Sequence, residues 1–302
     1  MTQTKFILLS LLIVLFLVKV KTVQAQTDDS LSKIEETTLT KKEKRKQIPK
    51  YYGIGIGMSS STFRDFATSP LFYNGAPIQI ALSRLKVGDN RETEMGLSYN
   101  LGAYFTDFND NPTGSSVHRV GLNYSQLYKI SLFNSESINT KIGFLLNGTA
   151  NQRENNALGN NAIGVDVFAN LMGSIKITKD ISRKAAKEKK FLFWKYKQKE
   201  KKRNLAFRLN LGLVNSSYRN GYIYTNHTPV LNGEETFDGY EFKILSGFRA
   251  SSRVDYTRYL KNKNAVQFSY VWDAYSTGGD LDKFEMAHHT LRFTLLFNTN
   301  NK

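Results

Sequence analysis

The chain has 302 residues, with 42 Lys and Arg against 26 Asp and Glu, four His and no Cys, for a formal charge of +16. Aromatic residues make up 13%, and 21 Gly with only five Pro fit a β-rich chain rather than a disordered one. The lack of Cys excludes thiol catalysis, disulfide frameworks, Cys-zinc sites and lipid attachment at an N-terminal Cys.

Residues 1–25 read as a secretory signal peptide. Lys5 precedes an apolar run from Phe6 to Val18, and Val23-Gln24-Ala25 offers small residues where a signal peptidase reads. Lys19 and Lys21 stop the run short of the roughly 20 apolar residues that a spanning helix needs. Residues 26–50 read as a basic linker on the periplasmic side.

From residue 51 onward the apolar residues alternate with period two, which is a strand signal. Met95, Leu97, Tyr99 and Leu101 alternate with small or polar residues, and Leu205, Phe207, Leu209, Leu211 and Leu213 repeat the pattern against Ala206, Arg208, Asn210 and Gly212. Ten such segments follow in order: 51–63, 77–87, 92–106, 118–133, 138–151, 163–178, 204–217, 240–259, 264–276 and 286–297. Most exceed the usual soluble strand of about five or six residues, and such lengths suit tilted strands that cross a bilayer. Leu97, Leu122, Leu209 and Phe268 then face lipid.

The connections are asymmetric. With a periplasmic start, the periplasmic connections are 88–90, 134–137, a long exception at 179–203, and 261–263. The outer ones run longer, at 64–76, 107–117, 152–162, 218–239 and 277–285. These features predict an all-β fold, a transmembrane antiparallel up-and-down β-barrel of about ten strands over residues 51–297.

On the signal peptide, the alternating segments and the last strand His289-Thr290-Leu291-Arg292-Phe293-Thr294-Leu295-Leu296-Phe297, the chain resembles the bacterial outer-membrane β-barrel proteins. The resemblance implies a place in the outer membrane, contact with its lipids, and recognition of the aromatic-ended last strand by the assembly machinery. A polar tail at 298–302 departs from the pattern. The resemblance implies no activity.

Charge is concentrated. Residues 41–50 carry Lys41, Lys42, Lys44, Arg45, Lys46 and Lys50 against Glu43, and 179–203 carries twelve basic residues against Asp180, Glu188 and Glu200. Phe191, Phe193 and Trp194 interleave there with Lys190 and Lys195, which suits an interfacial segment meeting anionic lipid or a periplasmic protein. Nucleic acid is excluded as a partner by the compartment.

The polar faces send Glu94, Arg119, Lys129, Asp166, Arg208, Arg249, Asp273 and Arg292, with Lys141, Lys176 and Lys243, toward the lumen. Ten strands enclose little space, so a salt-bridged plug is expected, with a narrow anion-favouring channel as the alternative. Catalytic and metal motifs are absent, and no cofactor is expected. The rim group His118, His288, His289, Asp107, Asp110, Asp280 and Asp282 resembles that of the omptin surface proteases in residue types only. The chain is therefore expected to be a non-catalytic surface, scaffold or partner-docking barrel, with a rim hydrolase as a further alternative.

Overall fold

The computed structural model describes residues 48–108, 111–131, 133–191, 193–220, 240–279 and 282–300. The signal peptide and most of the linker lie outside the described residues. Within them no helix is long and apolar enough to cross a membrane.

Fourteen strands follow in chain order: β1 (Lys50–Asp65), β2 (Ser69–Gly75), β3 (Ile78–Val87), β4 (Arg91–Phe108), β5 (Asn111–Lys129), β6 (Ile138–Glu154), β7 (Ile163–Asp180), β8 (Lys187–Phe191), β9 (Trp194–Gln198), β10 (Arg203–Asn220), β11 (Tyr240–Ile244), β12 (Phe248–Tyr259), β13 (Ala265–Ser276) and β14 (Phe284–Asn298). A 3-10 helix, Asn156–Asn161, joins β6 to β7. Twelve strands make one antiparallel sheet. It closes where β1 pairs with β14, from Tyr51↔Asn298 to Asp65↔Phe284. Closure leaves no free edge over the middle of the barrel, with only the far-end strands β2 and β11 lacking full pairing on one side, and that is what allows a sheet to lie in lipid.

Two staves are broken. β2 and β3 share one, interrupted at Ala76 and Pro77, where proline removes a ladder donor. β11 and β12 share another, interrupted where Leu245 and Gly247 have φ of 55° and 79°. A Cβ on Gly247 would lie 2.0 Å from the Ser276 carbonyl oxygen, so only glycine fits this break. Counted as staves, the barrel has ten, each coinciding with one alternating segment of the sequence.

The hydrophobicity is inverted relative to a soluble protein. Outward residues such as Ile56 (59% exposed), Leu122 (59%) and Leu213 (64%) are apolar and uncovered, while the buried positions include Asp65, Asp166, Arg208, Arg249 and many Ser, Thr and Asn. Leu97 and Phe268 belong to the same exposed band, and Leu209 lies in phase with it.

The near end of the barrel, where β1 begins and β14 finishes, carries the short turns and the β8–β9 hairpin. That hairpin replaces the plain turn expected at 179–203: Lys187↔Gln198 to Phe191↔Trp194 are paired, and an Arg183↔Lys201 bridge lies beneath them.

The far end corrects several boundaries. The connection expected at 64–76 shrinks to 66–68 because Asp65 organises a tight turn. Its carboxylate accepts from the Ala67 amide and the Thr68 hydroxyl, both at 3.2 Å. The connection expected at 107–117 is nearly all strand, since β4 and β5 stay in register to Phe108↔Asn111. Conversely the segment expected to reach 133 stops at Lys129. Phe133 has a φ of 61°, and the Asn134 carboxamide accepts from the Thr140 amide at 2.6 Å, which turns the chain. Most of the outer connection expected at 218–239 lies outside the described residues; its flanking Tyr218 and Tyr240 rings lie 5.3 Å apart, tilted by 39°.

Candidate functional site

With period-two alternation, each in-phase polar residue enters a lumen where burial is costly unless charges and donors are matched. Four layers do this, from the near end upward.

The first layer is an open vestibule of about 490 Å³ that includes Glu92, Lys141, Lys176 and Tyr259 in its wall. Glu92 receives Lys141 at 3.2 Å and also Lys176. Lys129 stands at the mouth rather than inside; its ammonium is 2.8 Å from Asp89 and its side chain is 33% exposed. That hydrogen bond holds the Asp89 carboxyl below its usual range. Tyr51, Leu85, Ala265 and Leu296 form a small apolar cluster nearby.

In the second layer Glu94 takes a two-pronged guanidinium contact from Arg253, at 2.7 and 2.8 Å. It also accepts from Arg208 at 3.2 Å. Arg208 is otherwise held by Ser125, Ser174 and Asn210. Arg292 joins the same cavity wall.

In the third layer Asp273 accepts from Arg249 at 2.7 and 3.0 Å and from Arg119 at 2.8 Å. Arg249 also donates to Thr149 and Asn170. His288 lies beside them, with its Nδ1 2.6 Å from the Ser61 hydroxyl.

The fourth layer closes the far end. Asp65 and Asp166 face Arg153 and Arg219 in a square of ion pairs at 2.7 to 2.9 Å. Around it pack Phe63, Tyr73, Tyr104, Phe168, Tyr275 and Phe284, all buried. Arg153 and Arg219 lie 5.0 and 4.9 Å over the Phe284 ring. Aromatic rings and neutralised charge together fill the cross-section.

Of the rim group, His118 and His289 point outward, and each ring nitrogen meets a tyrosine hydroxyl at 2.7 Å, Tyr99 and Tyr270 respectively. His288 is inside the barrel, Asp282 is paired with Lys243, and Asp107 is exposed. Asp110 and Asp280 lie outside the described residues. The described members are thus spread over three surfaces and do not converge on a substrate position. No group of three or more His, Asp and Glu able to hold a metal occurs among the described residues.

Sequence reasoning did not name Asp65, Glu92, Arg153, Arg219, Arg253 and Asp255. Arg253 follows Arg249 at an even spacing, so phase alone could have found it. Arg153 falls within the connection expected at 152–162 because β6 runs three residues beyond 151, to Glu154. On the β8–β9 hairpin, Phe191 and Trp194 are backbone partners beside the loop, Lys195 follows them, and Phe193 in that loop is 88% exposed.

No family model and no curated protein matches the chain. Among solved structures it is similar to the translocator domain of the autotransporter NalP from Neisseria meningitidis, at TM-score 0.36 and 8% identity over 83% of this chain and 88% of that one. The transport unit of the autotransporter AIDA-I from Escherichia coli gives TM-score 0.33 and 9% identity over 86% and 94%. The toluene transporter TodX of P. putida gives 0.28 and 7% over 83% and 90%. At these scores the likeness says nothing of activity.

Proposed function

We propose that the chain is an integral outer-membrane barrel, exported by residues 1–25, that works as a surface or scaffold protein and docks partners through its ends without turning over a substrate. The observation that carries this reading is the inverted distribution of polarity: an uncovered apolar exterior around a lumen closed by the Asp65–Arg153–Asp166–Arg219 square and its aromatic rings. A soluble barrel would leave no such exterior uncovered. Phe293 (36% exposed) and Phe297 (44%) face outward on β14, where the assembly machinery reads a last strand.

In this reading the near end faces the periplasm, and Phe191, Phe193, Trp194 and Lys195 on the β8–β9 hairpin contact anionic lipid or a periplasmic protein. Basic groups near a membrane surface contribute about 1 kcal/mol each. The deciding measurement is conductance of the refolded full-length barrel in planar bilayers. Silence is expected from the parent, and steady anion-selective steps would replace the scaffold reading with the narrow channel. A Phe284→Ala, Tyr275→Ala double variant, which thins the plug, is expected to conduct.

A further inference from the structure

The middle of the lumen holds more positive charge than its own carboxylates neutralise. Two adjoining cavities of about 110 and 120 Å³ are lined by Arg119, Arg208, Arg249, Arg253 and Arg292. Their only carboxylates are Glu94 and Asp273, and Asp255 adds a third through its 2.9 Å ion pair with Arg253. Five cations against three anions leave an excess of two.

Arg292 is the group left over. Among the described residues it has no ion-pair partner, and its buried Nε has no acceptor; the buried Nε of Arg119 lacks one as well. A half-buried guanidinium with no paired carboxylate is costly in a low-dielectric interior. The fold nonetheless makes room for it. A Cβ on Gly55 would lie 3.3 Å from Arg292 Cδ and 2.7 Å from Thr294 Oγ1, so the glycine-rich face of β1 is what lets this side chain lie along the wall.

Shape and access narrow the occupant. Each cavity has room for a small ion with some residual water. Guanidinium donors arranged around a space suit planar or tetrahedral oxyanions, which accept several hydrogen bonds at once. The cavity of about 120 Å³ shares Leu85 and Gln267 with the near-end vestibule, whereas the aromatic layer closes the far end. We infer that the mid-lumen cavity is a binding site for one small inorganic oxyanion of the phosphate class, entered from the near end and held chiefly by Arg292. The site goes beyond the scaffold reading, because a barrel that conducts or one that does not could equally contain it.

The test uses the full-length barrel refolded in detergent in phosphate-free buffer, with folding checked by heat-modifiable electrophoretic mobility. Equilibrium dialysis against radiolabelled inorganic phosphate should give one saturable site per barrel, and Arg292→Gln should weaken it by about tenfold or more, the worth of a charged hydrogen bond. Phosphate should raise the melting temperature of the parent and not of Arg292→Gln. In phosphate-free buffer that variant should melt above the parent, since it removes an uncompensated charge. Ser98→Glu, which puts a carboxylate on the same wall, should abolish phosphate binding and serves if Arg292→Gln does not fold. Arg64→Gln, remote from the cavity, should bind as the parent does. The inference is overturned if no saturable phosphate binding occurs, if both cavity variants bind like the parent, or if bromide competes as well as phosphate, which would reduce the site to simple counter-ion screening.

Discussion

Replacing Asp166 by Ala tests whether the far-end charge square is a structural keystone. Asp166 is fully buried and accepts from Arg153 Nε at 2.9 Å and Arg219 Nε at 2.8 Å. Each hydrogen bond to a charged group is worth about 1.5 to 3 kcal/mol, and the change also leaves two guanidinium groups, 6% and 3% exposed at their side chains, to share Asp65. Breaking a buried pair in this way costs about 3 to 5 kcal/mol, a large part of the roughly 5 to 15 kcal/mol that holds an ordinary domain together. Urea unfolding of the refolded barrel, followed by tryptophan fluorescence and electrophoretic mobility, measures it. Adding Arg153→Met to Asp166→Ala should recover part of the loss, because it removes the stranded cation. A loss below about 1 kcal/mol for Asp166→Ala, or strict additivity in the double variant, would refute the reasoning and reduce the square to screened charges at a wet mouth.

Further outcomes follow from the same geometry. Leu122→Arg, on the uncovered face, should destabilise the bilayer-inserted barrel by about 2 to 4 kcal/mol in urea titration, and a neutral result there would invert the assignment of faces. Gly247→Ala forces a side chain into a left-handed turn against the Ser276 carbonyl, and should lower stability by about 1 to 3 kcal/mol. In intact cells an Asn232→Cys variant should react with an impermeant thiol reagent and an Ala185→Cys variant should be protected; the reverse pattern would turn the barrel over. Trp194→Ala should weaken binding of the refolded barrel to anionic vesicles most visibly at high salt, where charge is screened within about 8 Å and the aromatic contribution remains.

The sequence by itself determined the number of staves and which face of each meets the outside, because side chains in a strand point alternately to opposite faces. It also showed where the basic segments lie and that lumen charges such as Glu94, Arg208, Asp273 and Arg292 share the inward phase. What it did not contain was height and azimuth, that is, which inward residues meet. Glu94 and Arg253 are 159 positions apart in the chain, and Arg219 and Asp65 are separated by 154. Their meeting depends on the accumulated register around the closed sheet. That register is adjusted by irregularities between Phe63 and Asp65 and between Gly212 and Val214, which an alternation count passes over. The aromatic plug was hidden for the same reason. Tyr73, Phe168, Tyr275 and Phe284 come from separate staves and become a layer only at one height, so the closed sheet, and not any one segment, decides that the lumen is sealed at one end and charged in the middle.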